Sequence, residues 1–210
     1  MRGSSVALIL LAAVAVVGQD PAPKSPAPIQ APEWASFTDE EMAVVAEINR
    51  IRRFPRQYGE WLKKDLLPHL DADGKLWRLP GAIPIRMQEG RAAIEEAIRF
   101  LETVEPCPPL VVSDTLAKAA QDHVRTQGPT GETGHKGPDG SRPVDRVERH
   151  GDYGSVCGEI INYGTEKPRR TLIQLVIDDG VPDRGHRRAI FNPEYRVAGP
   201  AIGAHKTYGS

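Results

Sequence analysis

Two histidines and one glutamate stand where packing alone does not explain them. His135 lies in the glycine-rich stretch Thr133-Gly-His-Lys-Gly-Pro-Asp-Gly140, and His186 follows Gly185 at the head of a short helical turn flanked by arginines. Glu159 interrupts the otherwise apolar run Val156–Tyr163. An unpaired carboxylate in such a strand would cost several kcal/mol, so Glu159 needs a partner. Two imidazoles with one or two carboxylates can hold a divalent ion such as Zn²⁺, or form a hydrogen-bonded network without metal. The three residues are 24 and 27 positions apart with no local HExxH spacing, so only tertiary folding can gather them. Other chemistries lack their residues: there is no G-x-S-x-G elbow, no phosphate loop and no dinucleotide fingerprint. A Cys157–His pair is conceivable, but a disulfide would consume its thiol.

The elements that must position these side chains are marked by caps and breakers. Thr38-Asp-Glu-Glu41 forms a capping box, after which Met42, Val45, Ile48, Ile51 and Phe54 recur at helical spacing up to Pro55. Arg50, Arg52, Arg53 and Arg56 are expected on the solvated side of this helix. Residues 71–85, with two prolines, two glycines and Trp77, predict a long loop or short hairpin with Trp77 inward. Gly90–Leu101 reads as a second helix and Asp114–Gln127 as a third, capped by Ser113, with His123 beside its apolar stripe as a core histidine. Gly128–Gly151 is turn-rich and presents its backbone. Val156–Tyr163 and Tyr195–Ile202 predict strands, Pro168 opens a fourth helix, and Arg184–Pro193 a helical turn. Helices and strands alternate without a regular βαβ beat, which indicates an α+β class with a small antiparallel sheet.

The N-terminus sets an address. Arg2 precedes twelve apolar residues, Val6–Val17, too short for the roughly 20 residues of a membrane helix. Residues 1–19 read as a secretory signal peptide, removal of which leaves no stable membrane insertion. Residues 20–33 hold five prolines and form an extended Pro/Ala-rich linker, and 34–210 form one domain. In an exported chain the pair Cys107 and Cys157 is expected to be bridged, closing a fifty-residue loop and stabilising by roughly 4 kcal/mol; two free buried thiols are the alternative. With 27 basic against 28 acidic residues the formal net charge is −1, which provides no field for nucleic acid.

The order of motifs resembles that of the CAP superfamily: the cysteine-rich secretory, antigen 5 and pathogenesis-related 1 proteins, whose modules are called SCP domains. The segments that carry the resemblance are Ile48-Asn-Arg50 with Pro55 and Tyr58, Gly134-His-Lys-Gly-Pro-Asp-Gly140, Cys157-Gly-Glu159, and Gly185-His-Arg187 with Asn192-Pro193. The bacterial secreted members look most similar, and the match runs over about residues 40–205. The resemblance implies an α-β-α sandwich with a cleft lined by two histidines and two acids. His135, Glu159 and His186 fall on three of those positions, and Asp179, with Asp178 as second choice, on the fourth. Asp replaces the family's usual Glu there, Val176 stands near the family's frequent Trp, and Ile160 stands where Asn is common. Relatives continue past the last strand into another, aromatic-rich one. Here either the sheet is one strand short or another element covers its edge, for which the insert before Ser113 is a candidate.

Two functions follow from the resemblance. The first is a secreted binding module in which His135, Glu159 and His186 hold Zn²⁺ or another divalent ion and Asp179 completes the shell, with a small apolar ligand such as a lipid or sterol, or an extracellular protein, as partner. The second is a metal-dependent, peptidase-like hydrolase in the same cleft, with Glu159 or Asp179 as base. A purely structural His/Glu network is the third possibility.

Overall fold

The computed structural model describes residues 6–13, 37–78, 84–164 and 167–208. The expected linker at 20–33 lies outside the described residues. The chain forms two compact units: Met1–Val45 with Leu110–Glu166 and Glu194–Ser210, and Ala46–Pro109 with Lys167–Pro193.

The first unit is built on a four-stranded sheet. Strands β1 (Val6–Ala13), β4 (Val111–Val112), β5 (Cys157–Tyr163) and β6 (Val197–Ala204) lie in the order β4-β6-β1-β5, so β1 pairs on both sides. It runs antiparallel to β5, from Ala7↔Tyr163 to Ala13↔Cys157, and antiparallel to β6, from Val6↔Ala204 to Ala13↔Val197. Part of the apolar run read as a leader therefore stands inside the sheet. The short β4, at the end of the insert before Ser113, lies parallel along the other side of β6.

Helix α4 (Asp114–Gln127) packs across β6 and β1, and α5 (Pro143–Glu148), a helix within the turn-rich region, packs on α4 and β5. Leu116, Ala119, Ala120, Val124, Val147, Ile161 and Ala201 form their common core. Ser113 caps α4 as expected, its Oγ accepting from the Leu116 N–H. Two glycines of β6 let α4 sit directly on the strand: a Cβ at Gly199 would lie 2.1 Å from the Ala117 nitrogen, and one at Gly203 2.1 Å from Val124 Cγ1. The Thr38–Glu41 box forms, the Thr38 N–H donating to Glu41 Oε2 at 2.9 Å and the Glu41 N–H to Thr38 Oγ1 at 3.2 Å. The second Glu41 oxygen accepts from the Ile202 N–H at 3.1 Å, tying the first turn of α1 (Asp39–Arg53) to β6.

The second unit holds the remainder of α1, α2 (Pro55–Trp61) with the π and 3-10 turns that prolong it, the hairpin β2 (Leu76–Trp77) and β3 (Ile85–Arg86), α3 (Arg91–Thr103), α6 (Pro168–Ile177) and α7 (Gly185–Ile190). Trp77 is buried as expected, and its indole N–H donates to the Leu66 carbonyl at 3.0 Å. Three expectations need correction. Met42 and Phe54 are exposed rather than in the core, because the apolar stripe of α1 runs through Val44, Val45, Ile48 and Ile51. Arg52 is fully buried rather than solvated: its guanidinium donates to the carbonyls of Pro108, Ile190 and Asn192. Cys107 and Cys157 are thiols rather than a disulfide; Cys107 donates its S–H to the Phe191 carbonyl at 3.1 Å, and burial pushes the Cys157 thiol up to about 11. The mixture of helices and small sheets is of the α+β class, as read from the sequence.

The close seat of α4 on β6 predicts that Gly199→Ala destabilises the domain by about 1–3 kcal/mol, because the added methyl meets backbone that no rotamer change can move. Thermal unfolding checks this; an unchanged midpoint would show that α4 does not rest on the strand backbone.

Candidate functional site

His135 is placed by a loop whose backbone is held on both sides. The Gly134 N–H donates to the Tyr163 hydroxyl at 2.9 Å, and the Gly134 carbonyl accepts from Gln127 Nε2 at 2.7 Å and His123 Nε2 at 2.9 Å. Gly134 has φ 107°, a conformation L side chains rarely adopt. His123 is thus the buried core histidine read from the sequence, and burial lowers its pKa. The His135 carbonyl is gripped by both terminal nitrogens of Arg146, each at 3.2 Å.

The His135 ring then meets Glu159, Nδ1 to Oε1 at 2.9 Å. The second Glu159 oxygen accepts from Arg146 Nη2 at 2.7 Å. The Glu159 and Arg146 side chains are each 1% exposed and the His135 side chain 49%. The partner Glu159 requires is therefore a buried guanidinium. An ionised carboxylate only accepts, so Nδ1 of His135 carries a proton, and in the neutral ring Nε2 keeps its lone pair for a ligand. Arg146 escaped sequence reading. The available signal was one arginine in the short Pro143-led segment that follows the histidine loop.

The second unit repeats the arrangement. His186 Nδ1 meets Asp178 Oδ1 at 2.6 Å, and Asp178 Oδ2 accepts from the Arg187 N–H at 3.1 Å. Asp178 is fully buried on its side chain and left-handed at φ 58°, which ends α6 and turns the chain so that α7 brings His186 back to it. Asp tolerates that conformation better than most residues. Arg187 closes the other side, donating to the Val176 and Ile177 carbonyls left open at the end of α6. Of the two acids, it is Asp178 that meets the His186 ring. Asp179, the first choice, gives its oxygens to the N–H groups of Gln88, Glu89 and Gly90 at 2.6, 2.9 and 3.1 Å, and so anchors the turn before α3.

Arg184, the second left-handed residue at φ 52°, braces this turn. It donates to the Asp178 and Val181 carbonyls at 2.9 and 3.0 Å and pairs with Glu89 and Glu96, each at 2.6 Å. Hydrogen bonding to Arg184 holds both glutamates down to about 2 from the ordinary 4.5.

The structure therefore unites His135 with Glu159 and His186 with Asp178, each pair within its own unit. Among the described residues no three His, Cys, Asp or Glu side chains are grouped as a metal-ligand set. Each pair fits metal chemistry in a different sense: a carboxylate on Nδ1 and an open Nε2 is the usual environment of a ligating histidine, with the acid as orienting group rather than ligand. The Glu159 oxygens meet Arg146 and His135, and those of Asp179 accept from three amides.

Comparison with known proteins agrees with this architecture. The model of the cysteine-rich secretory protein family, CAP, matches residues 45–209, and the chain belongs to that family. No curated protein and no solved structure gives a significant match. The CAP fold is an α-β-α sandwich, and proteins of the family are generally extracellular. Among the described residues, no helix is long and apolar enough to cross a membrane.

Two predictions follow. Arg146→Met leaves the Glu159 charge buried without its cation and should cost about 3–5 kcal/mol, and pairing it with Glu159→Gln should recover much of that loss. Urea unfolding of the two single variants and the double variant checks this; simple additivity would contradict a buried ion pair. The Glu89 and Glu96 carboxyls lie lower in the folded chain than in the unfolded one, so their contribution is complete above pH 4.5 and is lost as pH falls towards 2. Arg184→Met should flatten that part of the acid limb of a melting-temperature profile, and an unchanged limb would count against the bracing role.

Proposed function

We propose that this CAP protein is an extracellular binding module in which each unit offers one carboxylate-oriented imidazole as a polar contact for a ligand, His135 in the first and His186 in the second. The observation that carries this reading is the shared geometry of the pairs: an acid buried behind each ring engages Nδ1 and leaves Nε2 for the ligand. A divalent cation such as Zn²⁺ suits donors of this kind, being borderline-soft and readily bound by neutral imidazole. When bound, it would supply a Lewis-acidic point of attachment. Glu159 and Asp178 act on it by fixing ring orientation and tautomer, and Asp179 acts only by holding the turn before α3 in place.

An apolar portion of the ligand has a counterpart in the second unit. A cavity of about 320 Å³ is walled by Phe54, Pro55, Val104 and Pro106, with Arg53 and Arg56 at its side. The exposed Phe54 ring, 42% accessible, offers an apolar face to a lipid or to a partner protein. The apolar N-terminal run and the extracellular habit of the family support export.

Calorimetric titration of the EDTA-treated chain with zinc tests the donors. His135→Ala and His186→Ala should each weaken uptake and the double variant abolish it. Glu159→Gln, which keeps the ligand nitrogen but loses the orienting charge, should weaken the His135 contribution by roughly 10–100-fold. Uptake in the double variant equal to that of the unaltered chain would overturn the assignment.

A further inference from the structure

The arginine-rich side of α1, read from the sequence as a solvated face, borders a small cavity in the second unit. The Phe54 N–H donates to the Arg50 carbonyl at 2.9 Å and the Tyr58 N–H to the Phe54 carbonyl at 3.1 Å, so the helical pattern runs on from α1 into α2 past Pro55. Residues four apart on a helix are surface neighbours, which sets Arg50, Phe54 and Tyr58 in one row with Trp61 a turn further on. Tyr58 and Trp61 meet edge to face with ring centres 5.3 Å apart. Arg169, in the first turn of α6, closes the row: its guanidinium lies over the Trp61 ring, 4.9 Å from the centre, and its Nε donates to Glu47 Oε1 at 3.0 Å. With Gln57, these side chains line a cavity of about 100 Å³.

The charges around this cavity do not cancel. Glu47 Oε1 also accepts from the Tyr58 hydroxyl at 3.2 Å, and burial together with that carboxylate pushes the Tyr58 hydroxyl well above its ordinary range, so it stays a neutral donor turned to Glu47. Among the described residues Arg50 enters no ion pair, and Arg169 pairs with Glu47 through Nε, which leaves its two terminal nitrogens as donors. One carboxylate therefore stands against two guanidinium groups. The Glu47 side chain is 12% exposed and that of Arg169 45%, so the acid sits behind and the guanidinium in front. A guanidinium held flat on an indole presents the planar fork that receives a carboxylate with two hydrogen bonds. The cavity is smaller than the roughly 150 Å³ that takes up a whole benzene ring, so it admits the head of a ligand and leaves the body to protrude beside the exposed Phe54 ring.

We infer that Arg50 and Arg169 form a binding site for the carboxylate of a small aromatic acid, whose ring lies against Phe54 and Trp61. A single negative charge is what the two arginines lack once Glu47 is counted; a phosphate dianion exceeds it and a neutral ring leaves it unmet. The site uses neither His135 nor His186 and is independent of the zinc reading.

Calorimetric titration of the EDTA-treated full-length chain with benzoate tests the site. Saturable uptake is expected, and Arg50→Gln and Arg169→Gln should each weaken it by roughly 10–100-fold, the loss that goes with a hydrogen bond to a charged group. Both arginines are exposed, and circular dichroism should show that the variants keep their fold. Benzamide has the same ring without the charge and should bind about tenfold more weakly than benzoate or worse. Acetate, which has the charge without the ring, and inorganic phosphate should also bind more weakly. The His135→Ala, His186→Ala double variant should take up benzoate like the unaltered chain. Absence of saturable uptake, or unchanged uptake when Arg50→Gln and Arg169→Gln are combined, would overturn the site. Benzamide or acetate binding as tightly as benzoate, or phosphate binding more tightly, would overturn the class of ligand.

Discussion

The Glu159 carboxylate, sunk in the sheet between a buried guanidinium and a half-exposed imidazole, is the contact on which the first unit is organised. Placing that charge on β5 would be costly alone, and the Arg146 ion pair offsets the cost only because the guanidinium also satisfies the Ser141 and His135 carbonyls. One arginine thus fixes three things together: the acid, the short helix α5, and the backbone of the histidine it orients. The histidine loop needs no regular structure of its own, since its glycine is held from both sides and the His135 carbonyl ends on the Arg146 guanidinium.

In the second unit the same logic is built from different parts. Asp178 is buried by a left-handed turn, and its charge is met by a backbone N–H and a histidine. Arg187 and Arg184 take the carbonyls that the end of α6 exposes, and the exposed glutamates of the neighbouring helix and turn hold those arginines in place. Rigidity behind the ring with openness in front of it is what a binding site requires, since a preorganised donor loses little freedom when its ligand arrives.

Much of this was legible in the sequence because it was local. The Thr38 box, the Ser113 cap, the inward Trp77 and the strand around Glu159 all depend on residues a few positions apart, and each formed as read. His135, Glu159 and His186 were found from composition out of place and from the order of family motifs, yet their partners were not. Arg146 and Asp178 look like ordinary surface residues until tertiary structure buries them. Of the two adjacent acids that the resemblance offers, Asp178 takes the left-handed turn and meets His186, while Asp179 accepts from the amides before α3, and the order of motifs does not distinguish them. A helix face rich in arginine reads as solvated, and Arg52 departs from that reading because the carbonyls of Pro108 and Asn192 that receive it come from distant parts of the chain. The strand at Val6–Ala13 was hidden by ambiguity of another kind, as a short continuous apolar run suits a leader and a strand equally well.

The central claim is that a buried acid decides which nitrogen of His135 faces the ligand. Long-range ¹⁵N–¹H correlation spectra of the imidazole rings read that directly. The account predicts that the neutral His135 ring carries its proton on Nδ1, with Nε2 bare and shifting when zinc is added. A ring protonated on Nε2, or one that exchanges freely between the two forms, would contradict it.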